Sequence, residues 1–525
     1  MEFFTRALVA MFLPRVRFSI APSHRPLASE VLSPLSIINK RGVGHLAQNN
    51  AWAEETMSKL TSLLYTLLLA LAGCTFGVPY RTGEYIADAS CEEIYRTYDA
   101  AQISSPEAPD VDVSNPCWKG SREKHQDYDL LFVEFDDQGW VQDAYQQRDP
   151  AEGDHLSKLY ETIKGLHKAS SESNLRLTLV LFIHGWQHNA QAADPNVHEF
   201  RKLLREIEML ENAGAPKGGN TRVVGLYIGW RGKSLMIPLL DQLTFWERKN
   251  TAERVAQGSV QELLRRLDLL RDTGTGRDGK RNITMLTIGH SFGGLITFEA
   301  LNGELLRNAV RFKANAAKPS DNYMSRVGDL VVIVNPAFEG ARYEPLRAAR
   351  NRLREARLER DQLPVVIIAT SKADWATRVA FPFARVFSTM FEATSEWWGE
   401  EWQANVAAVG HNARYTTHEL SLCETKDEAC QRAQKACSAG EYAYIRELAT
   451  KGLARTQPKP SQQYLCSGLN LRWTKEAYPD NNPFWIVRTT KDIMKDHGDI
   501  FNPAMMAFMR QMYIAFLAAR RAAAE

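Results

Sequence analysis

A chain of 525 residues with 44% hydrophobic and 24% charged side chains has ample material for a large globular core. Its 64 Lys+Arg against 62 Asp+Glu leave a net charge of +2, which excludes a strongly basic nucleic-acid or polyanion binder.

Residues 1–56 are rich in Arg, Pro and Ser and read as a non-native or disordered extension, with Met57 as the start of the native chain. From Met57 the sequence runs through Lys59, an uncharged Leu-rich segment from Leu60, and Leu71-Ala72-Gly73-Cys74. One basic residue, a short apolar stretch, small residues and a cysteine resemble a bacterial lipoprotein signal over 57–73. The resemblance implies acylation of Cys74, a membrane partner reached through that lipid, and a place in the cell envelope on the periplasmic face. A membrane helix is the competing reading, weakened by Gly73, Gly77 and Pro79. Without Cys74, six cysteines remain: Cys91, Cys117, Cys423, Cys430, Cys437 and Cys466. An even number in an exported chain favours disulfides, paired within the early two and within the late four. The late spacings lack the C-x₂-C knuckles of structural zinc sites.

Residues 74–126 read as a tether or lead-in carrying a small clipped loop. The core domain spans 127–525. Strand-like apolar runs occupy 128–135, 177–183, 222–228, 282–288, 329–334, 364–370 and 483–489, with a return strand expected from Trp140. Helical patterns fall near 156–168, 197–212, 251–271, 344–360 and 504–520. Alternating strands and helices predict an α/β fold, a mainly parallel sheet with helices on both faces. Between 376 and 480 the rhythm lapses into a large insertion before the last strand. Its aromatic stretch from Phe381 to Trp402 reads equally as a lid and as a satellite core, and 235–245 is a further candidate pocket wall.

Gly289-His290-Ser291-Phe292-Gly293 follows one of these strands and opens a helix, the setting of a nucleophile elbow. With the apolar strand that ends in His184-Gly185-Trp186, this order resembles the α/β-hydrolase superfamily, of serine esterase and lipase type. The resemblance covers roughly Tyr128 to Arg520. It implies Ser291 as nucleophile and the amides of Trp186 and Phe292 as the oxyanion hole. An acid after the 364–370 strand points to Asp374, with Glu339 as the alternative. A histidine after the last strand points to His497, ahead of His411 and His418. The implied activity is cleavage of a carboxylic ester, of a small molecule or a lipid, through an acyl-enzyme. Acyl transfer to another acceptor uses the same groups, and a non-catalytic binding scaffold is the rival reading. No cofactor, metal or nucleic-acid partner is implied. Gly229 to Ser234 resembles a phosphate loop but has Tyr227 where that motif needs glycine. His184 and His188 lie in a strand-to-loop turn, which favours orienting the oxyanion loop over binding zinc.

Mass spectrometry of the mature protein should find a lipidated amino terminus at Cys74. Recovery of peptides from residues 60–72 in the membrane-bound form would contradict the lipoprotein assignment.

Overall fold

The structure is a computed structural model that describes residues 59, 61 and 62 and, between 79 and 522, all but 86, 106, 143–153, 214–219, 233–244, 313–323, 354–361, 390–398, 425, 451–461 and 475–481. The chain divides into two compact units, Met1–Gly73 and Cys74–Glu525. The fold described here belongs to the second. Cys74 and most of residues 57–73 lie outside the described residues, among which no helix is long and apolar enough to cross a membrane.

The first half runs α1 (Glu92–Ser104), β1 (Arg122–Lys124), β2 (Tyr128–Phe135), α2 (His155–Glu172), β3 (Arg176–Ile183), α3 (Pro195–Asn212) and β4 (Thr221–Trp230). Next come α4 (Phe245–Gln257), α5 (Ser259–Thr273), β5 (Ile283–His290), α6 (Phe292–Arg311), β6 (Leu330–Val334), α7 (Gly340–Leu353) and β7 (Val366–Ser371). The remainder is α8 (Phe381–Thr389), α9 (Glu400–Val406), β8 (His418–Leu422), α10 (Glu428–Thr450), β9 (Gln462–Tyr464), β10 (Leu469–Trp473), β11 (Phe484–Thr489) and α11 (Pro503–Ala522).

Among the described residues the strands form an eleven-stranded sheet in the order β1-β2-β4-β3-β5-β6-β7-β11-β8-β10-β9. Every pairing from β2 across to β8 is parallel, while β1, β10 and β9 join antiparallel at the two edges. The α/β architecture is therefore mainly parallel with a mixed periphery. Alternate residues of one strand serve opposite faces: Leu131, Val133 and Phe135 pack with α2, α4, α5 and α6, while Leu130 and Phe132 pack with α3 and α11. Burial on both faces is why these strands read as unbroken apolar runs.

Four sequence expectations need correction. Residues 79–126 are not a tether. The Cys91–Cys117 disulfide closes the segment, and the Arg81 guanidinium, 1% exposed, meets Glu123 at 2.9 Å. Arg201 of α3 grips both oxygens of the same carboxylate, at 2.8 and 2.9 Å, and Arg205 holds Asp99 of α1 at 2.6 Å. Among the described residues the hairpin after β2 shows one bridge, Phe135 to Val141, and the antiparallel strand paired with β2 precedes it. The helix expected over 251–271 is two helices, broken at Gly258, which leaves helical geometry (ψ −147°) to turn the chain. Finally, the segment 376–480 is not wholly an excursion. Three of its strands, β8, β10 and β9, extend the central sheet beyond β11. In the aromatic stretch Phe381 is buried and Phe383 is exposed, whereas Trp397 and Trp398 lie outside the described residues. The late cysteines pair as Cys423–Cys430 and Cys437–Cys466, within their own group as expected.

Glu123 is fully buried, and burial opposes its charge, but Arg201, Arg81 and a hydrogen bond from His125 hold its carboxyl well below the usual range. Replacing it by Gln leaves two buried guanidinium groups short of their counter-ion. Glu123→Gln should cost about 3–5 kcal/mol in urea unfolding near neutral pH. Because the folded value is depressed, the wild-type contribution is present above the unfolded value of about 4.3 and fades as pH falls below it. A loss under about 1 kcal/mol would show that the Arg81–Glu123–Arg201 network does not fasten the segment to α3.

Candidate active site

β5 ends at His290, and the chain turns at Ser291 with φ 56° and ψ −118° before α6 begins at Phe292. Positive φ in a non-glycine residue costs on the order of 1–3 kcal/mol. Three backbone bonds hold the turn: Ser291 N–H donates to Val334 O at 3.1 Å, and Ser291 O accepts from Leu295 N and Ala337 N. The turn also needs glycine for room, since a Cβ on Gly293 would lie 2.1 Å from Ile183 O. The elbow thus presses against the end of β3, and Ser291 is 4% exposed.

The structure brings Ser291, His497 and Asp374 together. His497 Nε2 lies 2.8 Å from Ser291 Oγ, and His497 Nδ1 lies 2.8 Å from Asp374 Oδ2. Asp374 is fully buried one turn past β7. Its helix-capping role is present as well: Thr377 N donates to Oδ1 at 3.1 Å, and the Thr377 hydroxyl donates to Oδ2. Burial works against the Asp374 charge, but His497 and the two Thr377 bonds hold its carboxyl below the usual range. An ionised carboxylate only accepts, so it fixes the proton of His497 on Nδ1 and leaves Nε2 as the acceptor facing the serine hydroxyl.

The loop bearing His497 follows β11 and is tied to the ends of β5, β6 and β7 by groups that carry no charge. His290 Nε2 and Asn335 Nδ2 both donate to His497 O, at 3.0 and 2.9 Å. Burial pushes His290 well below the imidazole range, so it stays neutral with its proton on Nε2. Asn335 closes the arrangement by accepting from Ser371 N at 2.9 Å, and Ser371 Oγ donates to Met494 O at 2.7 Å. None of these supports emerged from sequence reasoning. The only signal was position, because His290, Asn335 and Ser371 each lie at or one residue past the carboxyl end of β5, β6 or β7.

Phe292, as the first residue of α6, has an amide with no carbonyl one turn earlier to bond. Trp186 follows Gly185, whose missing side chain allows contact with the elbow: a Cβ there would sit 2.8 Å from Ser291 Cβ. The Trp186 ring meets Phe245 edge-on at 5.6 Å, and Phe245 meets the buried Phe292 at 5.1 Å, so the loop packs on the elbow through aromatic rings. Of the wall expected over 235–245, only Phe245 is described. The Trp186 loop is braced by histidines. His184 Nε2 accepts from Trp230 N at 3.1 Å, and His188 Nδ1 lies 3.0 Å from Asp194 Oδ1.

The alternatives fall elsewhere. Glu339 is locked by Lys249, Arg342 and Arg385 at 3.0, 2.8 and 3.0 Å. Burial raises its carboxyl, but the three cations overcome that and bring it to about 2. His418 lies within β8 against the Trp485 ring, and burial pushes it down to about 3. His411 reaches neither Ser291 nor His497 but touches Thr377, which hydrogen-bonds Asp374. Among the described residues no group of three His, Cys, Asp or Glu is placed to hold a metal ion.

No protein-family model matches the sequence, and no curated protein does. Among solved structures, the chain is similar to the phospholipase PlaB from Legionella pneumophila in complex with thio-NAD, at 16% identity and a TM-score of 0.22. The match covers 48% of this chain and 47% of that one, so more than half of each is unmatched.

A methyl group in Gly185→Ala would lie 2.8 Å from Ser291 Cβ and 3.2 Å from His290 O, neither of which can swing away, so the loop and the elbow have to move apart. That displacement of Ser291 should lower turnover by about 10²-fold. Wild-type turnover in Gly185→Ala, measured with a chromogenic ester, would show that the contact between loop and elbow does not position the serine.

Proposed function

We propose that the chain is a serine hydrolase of the α/β-hydrolase type that cleaves a carboxylic ester through an acyl-enzyme. The observation that carries this reading is the continuous line of hydrogen bonds from Ser291 through His497 to Asp374. Ser291 Oγ attacks the acyl carbon as His497 Nε2 takes its proton. Asp374 then stabilises the imidazolium, and the Trp186 and Phe292 amides receive the charge that develops on the carbonyl oxygen. The imidazolium returns the proton to the departing alcohol. Water, activated by the same imidazole, releases the acid and regenerates the serine. The half-buried rings of Trp186 and Phe245 beside the elbow support an apolar acyl chain, that of a lipid or other hydrophobic ester. We place the enzyme in the cell envelope, anchored through a lipid on Cys74, on the strength of the 57–74 signal pattern.

A fluorophosphonate probe should label the wild type and spare Ser291→Ala. His497→Ala should lose about 10²–10⁴-fold in turnover while His418→Ala stays near wild type. Equal labelling of wild type and Ser291→Ala would end the hydrolase reading.

A further inference from the structure

His411 stood among the sequence candidates for the base, and its position behind the acid has a different use. Its Nε2 lies 2.9 Å from Thr377 Oγ1, although the two residues are 34 positions apart and belong to different turns. Thr377 Oγ1 donates to the same carboxylate oxygen, Asp374 Oδ2, that receives His497 Nδ1. We infer that Thr377 and His411 form a positioning chain behind Asp374 that sets how strongly its carboxylate holds the imidazolium formed during acyl transfer. The inference rests on the triad reading.

Hydrogen-bond accounting fixes the direction of the chain. Asp374 as an anion is acceptor only, so the hydroxyl hydrogen of Thr377 must point at Oδ2. The hydroxyl oxygen is then free to accept, and His411 supplies a proton from Nε2. His411 is neutral, since burial pushes it down to about 4. The titratable and charged groups facing it are Asp374, Arg488 on β11, Arg378 on the turn after Asp374, and His497. The two arginines disfavour a charge on His411, so it acts as a dipole rather than a cation.

A hydroxyl that accepts a hydrogen bond becomes a better donor. The chain therefore draws electron density from Oδ2, weakening the carboxylate as a proton acceptor and keeping the shared proton on His497. Capping alone needs only Thr377 N, which already bonds Oδ1. The hydroxyl and the imidazole are additional. Ala376–Ala380 forms a π-helical turn rather than a regular α-helical start, and such turns recur at functional sites.

The test is kcat/KM against pH for p-nitrophenyl butyrate with the purified full chain. Removing the hydroxyl in Thr377→Val should strengthen the hold of Asp374 on the imidazolium and move the acid limb up by roughly half to one pH unit. His411→Leu should move it the same way by less. The double variant should match Thr377→Val alone, because without a hydroxyl there is nothing for His411 to polarise. Thr377→Ser and His411→Gln each keep the donor and should restore the wild-type profile. A fall in rate with an unmoved acid limb, or additive shifts in the double variant, would overturn the inference. His411→Leu leaves Asp374 and its cap in place, so it decides the matter even if Thr377→Val does not fold. Failure of the triad reading itself looks different: Ser291→Ala would then turn over the same ester at the wild-type rate.

Discussion

Two hydrogen bonds to one oxygen hold the candidate site in register. The carbonyl of His497 accepts from His290 on the elbow and from Asn335 at the end of β6, which joins the loop after β11 to the ends of β5 and β6. A third tie, from Ser371 at the end of β7 to Met494, secures the same loop. An imidazole on a loop is held this closely only if the loop's backbone has fixed partners. Here they come from the rigid carboxyl edge of a parallel sheet. Neutrality matters as much as geometry. His290 and His411 are both kept uncharged by burial, so neither sets a second cation beside His497.

The same edge accounts for the strain at Ser291. Its positive φ is sustained by backbone bonds to β6 and to the loop beyond it, and by the contact of Gly185 with the elbow. A turn with fewer supports would relax toward a common conformation and withdraw the hydroxyl. The strained residue is therefore held by the same contacts that close the sheet edge around it. At the β1 end of the sheet order, the Arg81–Glu123–Arg201 network bonds the amino-terminal segment to α3, the helix that begins beside the Trp186 loop.

Much of this was legible in the sequence, for physical reasons that also mark where legibility ended. Strands buried on both faces are continuous apolar runs, so 128–135 and 177–183 emerged within a residue of their observed bounds. The elbow was legible because its glycines answer to a local steric demand. Asp374 and His497 followed from their places after strands, and the structure brings both to Ser291. Segment 418–473 was not legible as sheet, because β9 and β10 lie at an edge, partly exposed, and lose the unbroken apolar pattern. Residues 79–126 were misjudged for a different reason. They are held by buried ion pairs between residues as far apart as Asp99 and Arg205, and composition reads such charges as solvated. Thr377 and His411 meet only through the fold, so no spacing announces them.

In the proposed reaction Ser291 Oγ is the atom that becomes acylated, and the substrate's oxyanion is directed at the Trp186 and Phe292 amides. The most direct measurement is a crystal structure after reaction with diethyl p-nitrophenyl phosphate, which leaves a stable phosphoryl adduct on an activated serine. The account predicts phosphorus bonded to Ser291 Oγ and its phosphoryl oxygen within about 2.7–3.1 Å of the Trp186 and Phe292 amide nitrogens. An adduct on another residue, or one on Ser291 whose phosphoryl oxygen points away from both amides, would contradict it.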